Sequence, residues 1–170
     1  MALRLIYPDH LNCGIYFAKD DEAYEGGKIG QFASGSGGLE IVLADDTTPN
    51  IGIIDDSVTG SGYGTLLGTS YGTQALSTDT TAGSDKVGLF FTPGIYETDV
   101  YDPDTLDPDN PPAVNTLLYL VPSGTNKAMI TTTTHTQIVG YFLEFRLEPS
   151  LVSPQNPTTY WMVFRFFHTQ

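Results

Sequence analysis

The chain has 170 residues, with 20 acidic against 7 basic side chains and a formal net charge of −13. A single domain of this length buries roughly 70% of the surface that its unfolded chain exposes, so a sound core is within reach. Apolar residues make up 40% of the composition, including ten Tyr and nine Phe, which excludes a disordered acidic tail, and the negative field disfavours nucleic acid, whose phosphates are bound by Lys and Arg.

In chain order, Leu3 to Tyr7 predicts a first short strand, stopped by Pro8-Asp9, and Cys13 to Ala18 predicts a second. Lys19-Asp20-Asp21-Glu22 reads as a charged, exposed connection. Residues 1–26 are thus an extended N-terminal arm carrying the first strands, and residues 27–170 a β-barrel or β-sandwich domain. Further strands are expected near Ile29–Ala33, Leu39–Leu43, Ile51–Asp55, Lys86–Phe91, Ile95–Tyr101, Thr116–Val121, Lys127–Thr132, Ile138–Leu147 and Thr159–Phe167. The breaks between them carry turn chemistry, as at Ser34-Gly35-Ser36-Gly37-Gly38, Thr48-Pro49-Asn50, Pro93-Gly94 and Ser123-Gly124. Many short strands with regular turns make the chain all-β. The stretch 125–139, the longest free of Gly and Pro, contains the β-branched run Thr131-Thr132-Thr133-Thr134, which a helix tolerates poorly. Residues 57–82, rich in Gly, Ser and Thr, and residues 102–112, with four prolines, read as long loops.

Two strands are diagnostic. From Tyr141 to Glu148 the alternation is strict: Tyr141, Leu143, Phe145 and Leu147 fall on one face, and Phe142, Glu144, Arg146 and Glu148 on the other. The last strand is apolar on both faces, with Tyr160, Met162, Phe164 and Phe166 against Trp161, Val163 and Phe167, interrupted by Arg165. Such a strand is either central in the core or covered by a partner chain. Tyr160, Trp161, Phe164, Phe166 and Phe167 are therefore the candidate partner interface. There is also an internal echo. Displacing the chain by 88 residues lays Ile29 on Leu117, Ile41 on Met129, and Ile51-Gly52-Ile53-Ile54 on Val139-Gly140-Tyr141-Phe142. Gly52/Gly140 and Thr48/Thr136 are almost the only identities, and chance similarity between β-hairpins is the competing explanation.

The search for chemistry yields little. Cys13 is the only cysteine, so neither an intrachain disulfide nor a cysteine zinc site is available, and its apolar neighbours suit a small buried side chain. His10, His135 and His168 show no metal-ligand spacing. No serine occupies a Gly-x-Ser-x-Gly elbow, and Gly60–Gly64 lacks the Gly-Lys-Ser/Thr ending of a phosphate loop. Asp99, Asp102, Asp104, Asp107 and Asp109 form the best metal candidate, since Ca²⁺ prefers several oxygen ligands. The EF-hand positions are missing there, and a solvated loop is the simpler reading. Asp45-Asp46 and Asp55-Asp56 suit turn capping. No catalytic, cofactor or metal residue is assigned, and the chain is not expected to be an enzyme. No apolar run approaches the roughly 20 residues that span a bilayer, and the N-terminus lacks a signal-peptide core. A soluble, cytoplasmically made protein without a membrane partner is expected.

Gly27-Lys28-Ile29-Gly30-Gln31-Phe32, Leu39-Glu40-Ile41-Val42-Leu43, Asn50-Ile51-Gly52-Ile53-Ile54-Asp55-Asp56, Pro93-Gly94-Ile95-Tyr96-Glu97-Thr98-Asp99, and the runs from Asn115 to Gly124 and from Gln137 to Glu144 together resemble the small β-barrel decoration, or cement, proteins of tailed-bacteriophage heads. The resemblance is one of pattern over about residues 27 to 147, without a diagnostic residue. It implies a non-enzymatic virion protein on the capsid exterior, without a cofactor. Such a protein binds major capsid protein, often as a trimer, and stabilises the shell by bridging subunits. The alternative from the residues alone is a phage tail or adhesin module that binds a receptor or carbohydrate through exposed aromatics such as Tyr160 and Trp161.

Overall fold

The computed structural model describes residues 3–8, 13–19, 24–34, 40–47, 51–55, 86–147 and 159–167. The loop expected at 57–82, residues 35–38 of the glycine turn, His10, His168 and Asp56 lie outside them, as does the side chain of Cys13. Among the described residues the chain forms strands and no helix: β1 (Leu3–Pro8), β2 (Cys13–Ala18), β3 (Ile29–Phe32), β4 (Glu40–Leu43), β5 (Ile51–Asp55), β6 (Lys86–Phe90), β7 (Gly94–Thr98), β8 (Leu117–Leu120), β9 (Ile130–Thr131), β10 (Ile138–Leu147) and β11 (Tyr160–Phe166). The fold is all-β, as the turn spacing and β-branched runs predict. Strands β2-β4-β3-β5-β6 close into a barrel, and the others form a six-stranded sheet in the order β1-β7-β11-β10-β8-β9. The first two strands divide between them, β1 joining the sheet and β2 the barrel.

The two sheets repeat one plan. Strands β2 to β6 correspond in order to β7 to β11: β3 lies between β4 and β5 as β8 lies between β9 and β10, and β6 joins β5 to β2 as β11 joins β10 to β7. The registers agree as well. Gly30 faces Gly52 where Leu118 faces Gly140, Phe32 faces Ile41 where Leu120 faces Ile130, and Ile54 faces Leu89 where Phe142 faces Phe164. Closure is the point of departure. In the barrel, β2 pairs in parallel with β4 at Phe17 and Ala18, and the Lys19 amide donates to the Ile41 carbonyl at 3.0 Å. In the sheet, the matching contact is one hydrogen bond from the Asp102 amide to the Ile130 carbonyl at 2.9 Å. The weak sequence echo thus marks a repeated five-strand unit.

The units are joined rather than merely tethered. A single buried cluster contains Ile41, Ile53 and Leu89 of the first together with Leu118, Phe142 and Phe164 of the second. The Ile29 amide donates to the Ala128 carbonyl at 2.8 Å. The Asp46 carboxylate accepts the amides of Gln137 at 2.9 Å and Thr136 at 3.3 Å, so a residue expected only to cap a turn also ties the end of β4 to the start of β10.

Three local expectations change. The strict alternation in β10 is broken by a bulge between Phe142 and Glu144, because one extra residue on a strand reverses which side chains face the core. Phe142 and Phe145 consequently share the core side, with ring centroids 5.2 Å apart. β9 is shorter than the expected 127–132, because the chain turns at 124–128: the Lys127 amide donates to Gly124, the Met129 amide to Asn126, and Ala128 takes φ 66°. β7 ends at Thr98 rather than Tyr101, because the Thr98 hydroxyl accepts the Val100 amide at 3.0 Å and bends the chain.

Gly140, one of the two glycines aligned by the echo, is packed against backbone. A Cβ there would collide with the Arg165 carbonyl on β11, whereas at Gly52 the nearest atoms, the Phe90 carbonyl and the Phe91 ring, lie at 3.0 Å. Overpacking of this kind costs about 1–3 kcal/mol. Gly140→Ala is expected to lower unfolding stability by about 2 kcal/mol or more on that basis, and Gly52→Ala by less, as read from urea midpoints. Equal effects would contradict the packing at Gly140.

Candidate functional site

β11 lies between β7 and β10 in the middle of its sheet, and this decides what its aromatic residues can do. Phe164 and Phe166 are fully buried, and Trp161 is 5% exposed. Phe164 and Phe166 pack on Tyr96 of β7, with centroids 6.1 and 5.9 Å away, and Tyr96 in turn meets Phe90 of the barrel at 6.3 Å. These side chains therefore belong to the chain's own core and present no surface to a partner. Of the five candidate interface residues, Tyr160 (37% exposed) and the half-buried Phe167 remain accessible.

Each of these two has an accessible neighbour. Phe167 pairs with Tyr141 at 5.2 Å between centroids, and Tyr160 stands opposite Leu147 at the end of the β10–β11 ladder. Tyr141 and Leu147 are 36% and 42% exposed. Alternation along β11 puts Tyr160 on the face of Phe164 and Phe167 on the other, so the four residues make two small apolar pairs rather than one patch. Sequence reasoning missed Tyr141 and Leu147 as surface groups: the bulge, visible only in the pairing with β11, leaves Tyr141 on the side away from Phe142 and Phe145, and Leu147 stands at the end of the ladder. An aromatic platform built from Tyr160 and Trp161 is reduced to Tyr160.

Several polar groups of the acidic loop hydrogen-bond within the fold. Asp102 is buried, and its carboxylate accepts the Asn126 side-chain amide at 2.7 Å, the Thr105 hydroxyl at 3.2 Å and the Asp104 amide at 3.3 Å. Asp107 accepts the Asp109 amide at 2.9 Å. Thr105 bridges to Thr131 at 2.7 Å, and its carbonyl accepts the Thr132 hydroxyl at 3.2 Å, which fastens the loop to β9. No group of three His, Cys, Asp or Glu positioned for a metal is present among the described residues. His135 is half-buried in the β9–β10 connection. At the end of β4, burial acts to raise the Asp45 carboxyl, but hydrogen bonds from Thr47 and Gln31, at 2.6 Å each, outweigh it and hold the group below its usual range. On the outer face Arg146 pairs with Glu144 at 2.5 Å and approaches Glu97 at 4.0 Å. Surface pairs of this kind contribute little to stability.

A scan against family models, a search of curated proteins and a search of solved structures each return no match.

Two expectations follow from the core. Truncating a buried Phe costs about 3–5 kcal/mol, so Phe164→Ser is expected to unfold or severely destabilise the chain. Tyr160→Ser, at an accessible position, is expected to stay within about 1 kcal/mol; circular dichroism with urea titration separates the two. The Tyr96 hydroxyl donates to the Thr92 carbonyl at 2.7 Å, and burial pushes its pKa up to about 12. The folded state therefore keeps a proton that the unfolded chain releases near pH 10, so this contribution is complete below pH 10 and is lost as pH rises towards about 12. Tyr96→Phe is expected to flatten the alkaline fall of the urea midpoint; an unchanged slope would contradict the burial of this hydroxyl.

Proposed function

We propose that this chain is a structural virion protein that binds the outside of a phage capsid and stabilises the shell by bridging major capsid subunits, with no chemical step of its own. The observation that carries this reading is the use of the described polar groups: the acids and amides that a catalytic site would employ, Asp45, Asp46, Asp102 and Asn126 among them, accept or donate hydrogen bonds that hold turns and join strands. The pattern resemblance to decoration proteins and the net charge of −13 support the same reading, because an acidic coat on the shell's exterior has no affinity for the packaged nucleic acid. A repeated unit suits a repeated lattice, where many modest contacts add through avidity. In this proposal the protein acts as a homo-oligomer, a trimer, on the capsid exterior.

The burial of Trp161 counts against the tail or adhesin alternative, whose ligand platform needs that indole at the surface. Capsid attachment is tested by incubating the purified chain with shells lacking it, followed by particle reconstruction. Density repeated over the capsid lattice is the expected result. Density confined to the tail, or none on the shell, would overturn the proposal.

A further inference from the structure

One row of residues crosses three strands at the same place in both units. In the barrel the row is Ile29, Ile53 and Phe90. In the sheet it is Leu117, Tyr141 and Arg165, continued by Ile95 on β7. The barrel row lies at the junction between the units: Ile29 and Ile53 are fully buried, and Phe90 meets Tyr96 of the second sheet. The matching row of the sheet stays open. Tyr141 is exposed with Phe167 beside it, Leu117 and Ile95 are half-buried, and Arg165, in the place of Phe90, is exposed. Arg146 and Lys28 are paired with Glu144 and Glu25, whereas the Arg165 guanidinium has no carboxylate or hydrogen-bond partner among the described residues.

The β7–β8 connection has the opposite character. It carries Pro108, Pro111 and Pro112, exposed Asp107 and Asp109, and Val114, at 64% the most exposed large apolar side chain among the described residues. Both its ends are held. The Asp107 carboxylate accepts the Asp109 amide at 2.9 Å and its carbonyl the Asn110 amide at 3.1 Å, while the Asn115 amide donates to the Phe142 carbonyl at 2.8 Å. A proline fixes its own φ and keeps the residue before it extended, so Asn110 to Pro112 form a stiff segment of the kind that docks on aromatic surfaces. We infer that the face around Tyr141 and Arg165 receives the 107–114 loop of a second copy of this chain, with Arg165 of one copy against Asp109 of the next. Charge and chemistry identify the occupant. An unpaired guanidinium flanked by Tyr and Phe calls for a partner that offers a carboxylate beside apolar surface. The loop offers both already ordered, which lowers the cost of association, and every copy carries it. Asp109 likewise makes no ion pair among the described residues, so face and loop are both open in the single chain. Such a head-to-tail contact closes into a ring when its rotation allows. The inference supplies the contact for the self-association proposed above. It fails on the size of the oligomer, whereas capsid attachment fails on shells.

Sedimentation equilibrium on the unsubstituted full-length chain reads association directly, and a species larger than the 18.4 kDa chain is expected. Arg165→Glu and Asp109→Lys, made separately, should each weaken association by about tenfold or more, because each sets like charges together. One chain carrying both substitutions restores opposite charges at every contact between copies, and its association is expected to recover. Tyr141→Ser should weaken association without touching charge. All three positions are exposed, and circular dichroism with urea midpoints verifies that the variants fold. A monomer of the unsubstituted chain at every soluble concentration overturns the inference without recourse to any variant. Association that either single charge reversal leaves unchanged overturns it too, as does a loss in both that the combined chain fails to recover.

Discussion

The rest of the structure depends on one constraint: β11 is apolar on both faces and must be covered on both. Its place between β7 and β10 puts Phe164 and Phe166 against Tyr96, and Tyr96 against Phe90 of the barrel. Fully burying each such aromatic contributes roughly 1.5–3 kcal/mol relative to leaving it in water. The barrel and the six-stranded sheet thereby share a core. The polar ties between them, Asp46 to the amides of Thr136 and Gln137 and the Ile29 amide to the Ala128 carbonyl, run alongside that apolar contact. They add orientation to an association that burial drives.

Two five-strand units built on one register differ chiefly at closure, where β2 reaches β4 in the barrel and where β7 meets β1 instead. The acidic loop after β7, which the sequence offers as a metal candidate, is occupied with holding that junction through Asp102, Asn126 and Thr105.

Much of this was legible in the chain. Alternation and turn residues mark β2, β5 and β11 close to their observed bounds. The echo was faint for a physical reason. A displacement of 88 residues aligns β3 to β5 with β8 to β10, but residues 56–85 separate β5 from β6 while residues 148–159 separate β10 from β11, so one offset cannot hold across the unit. Fold-preserving registers with different side chains then leave Gly52 and Gly140 as the visible trace. The bulge in β10 was not legible, because a bulge is a property of two strands and alternation is a property of one. The same limit applies to the candidate interface. The pattern of β11 singles out Trp161, Phe164 and Phe166, but only its neighbours decide that they face the core while Tyr160 and Phe167 keep some surface.

The central physical claim is that two copies of one strand plan fold as a single cooperative body around a common core. Differential scanning calorimetry tests it most directly. One transition whose van't Hoff and calorimetric enthalpies agree is the expected result. Two separable transitions, one for the barrel and one for the sheet, would contradict it.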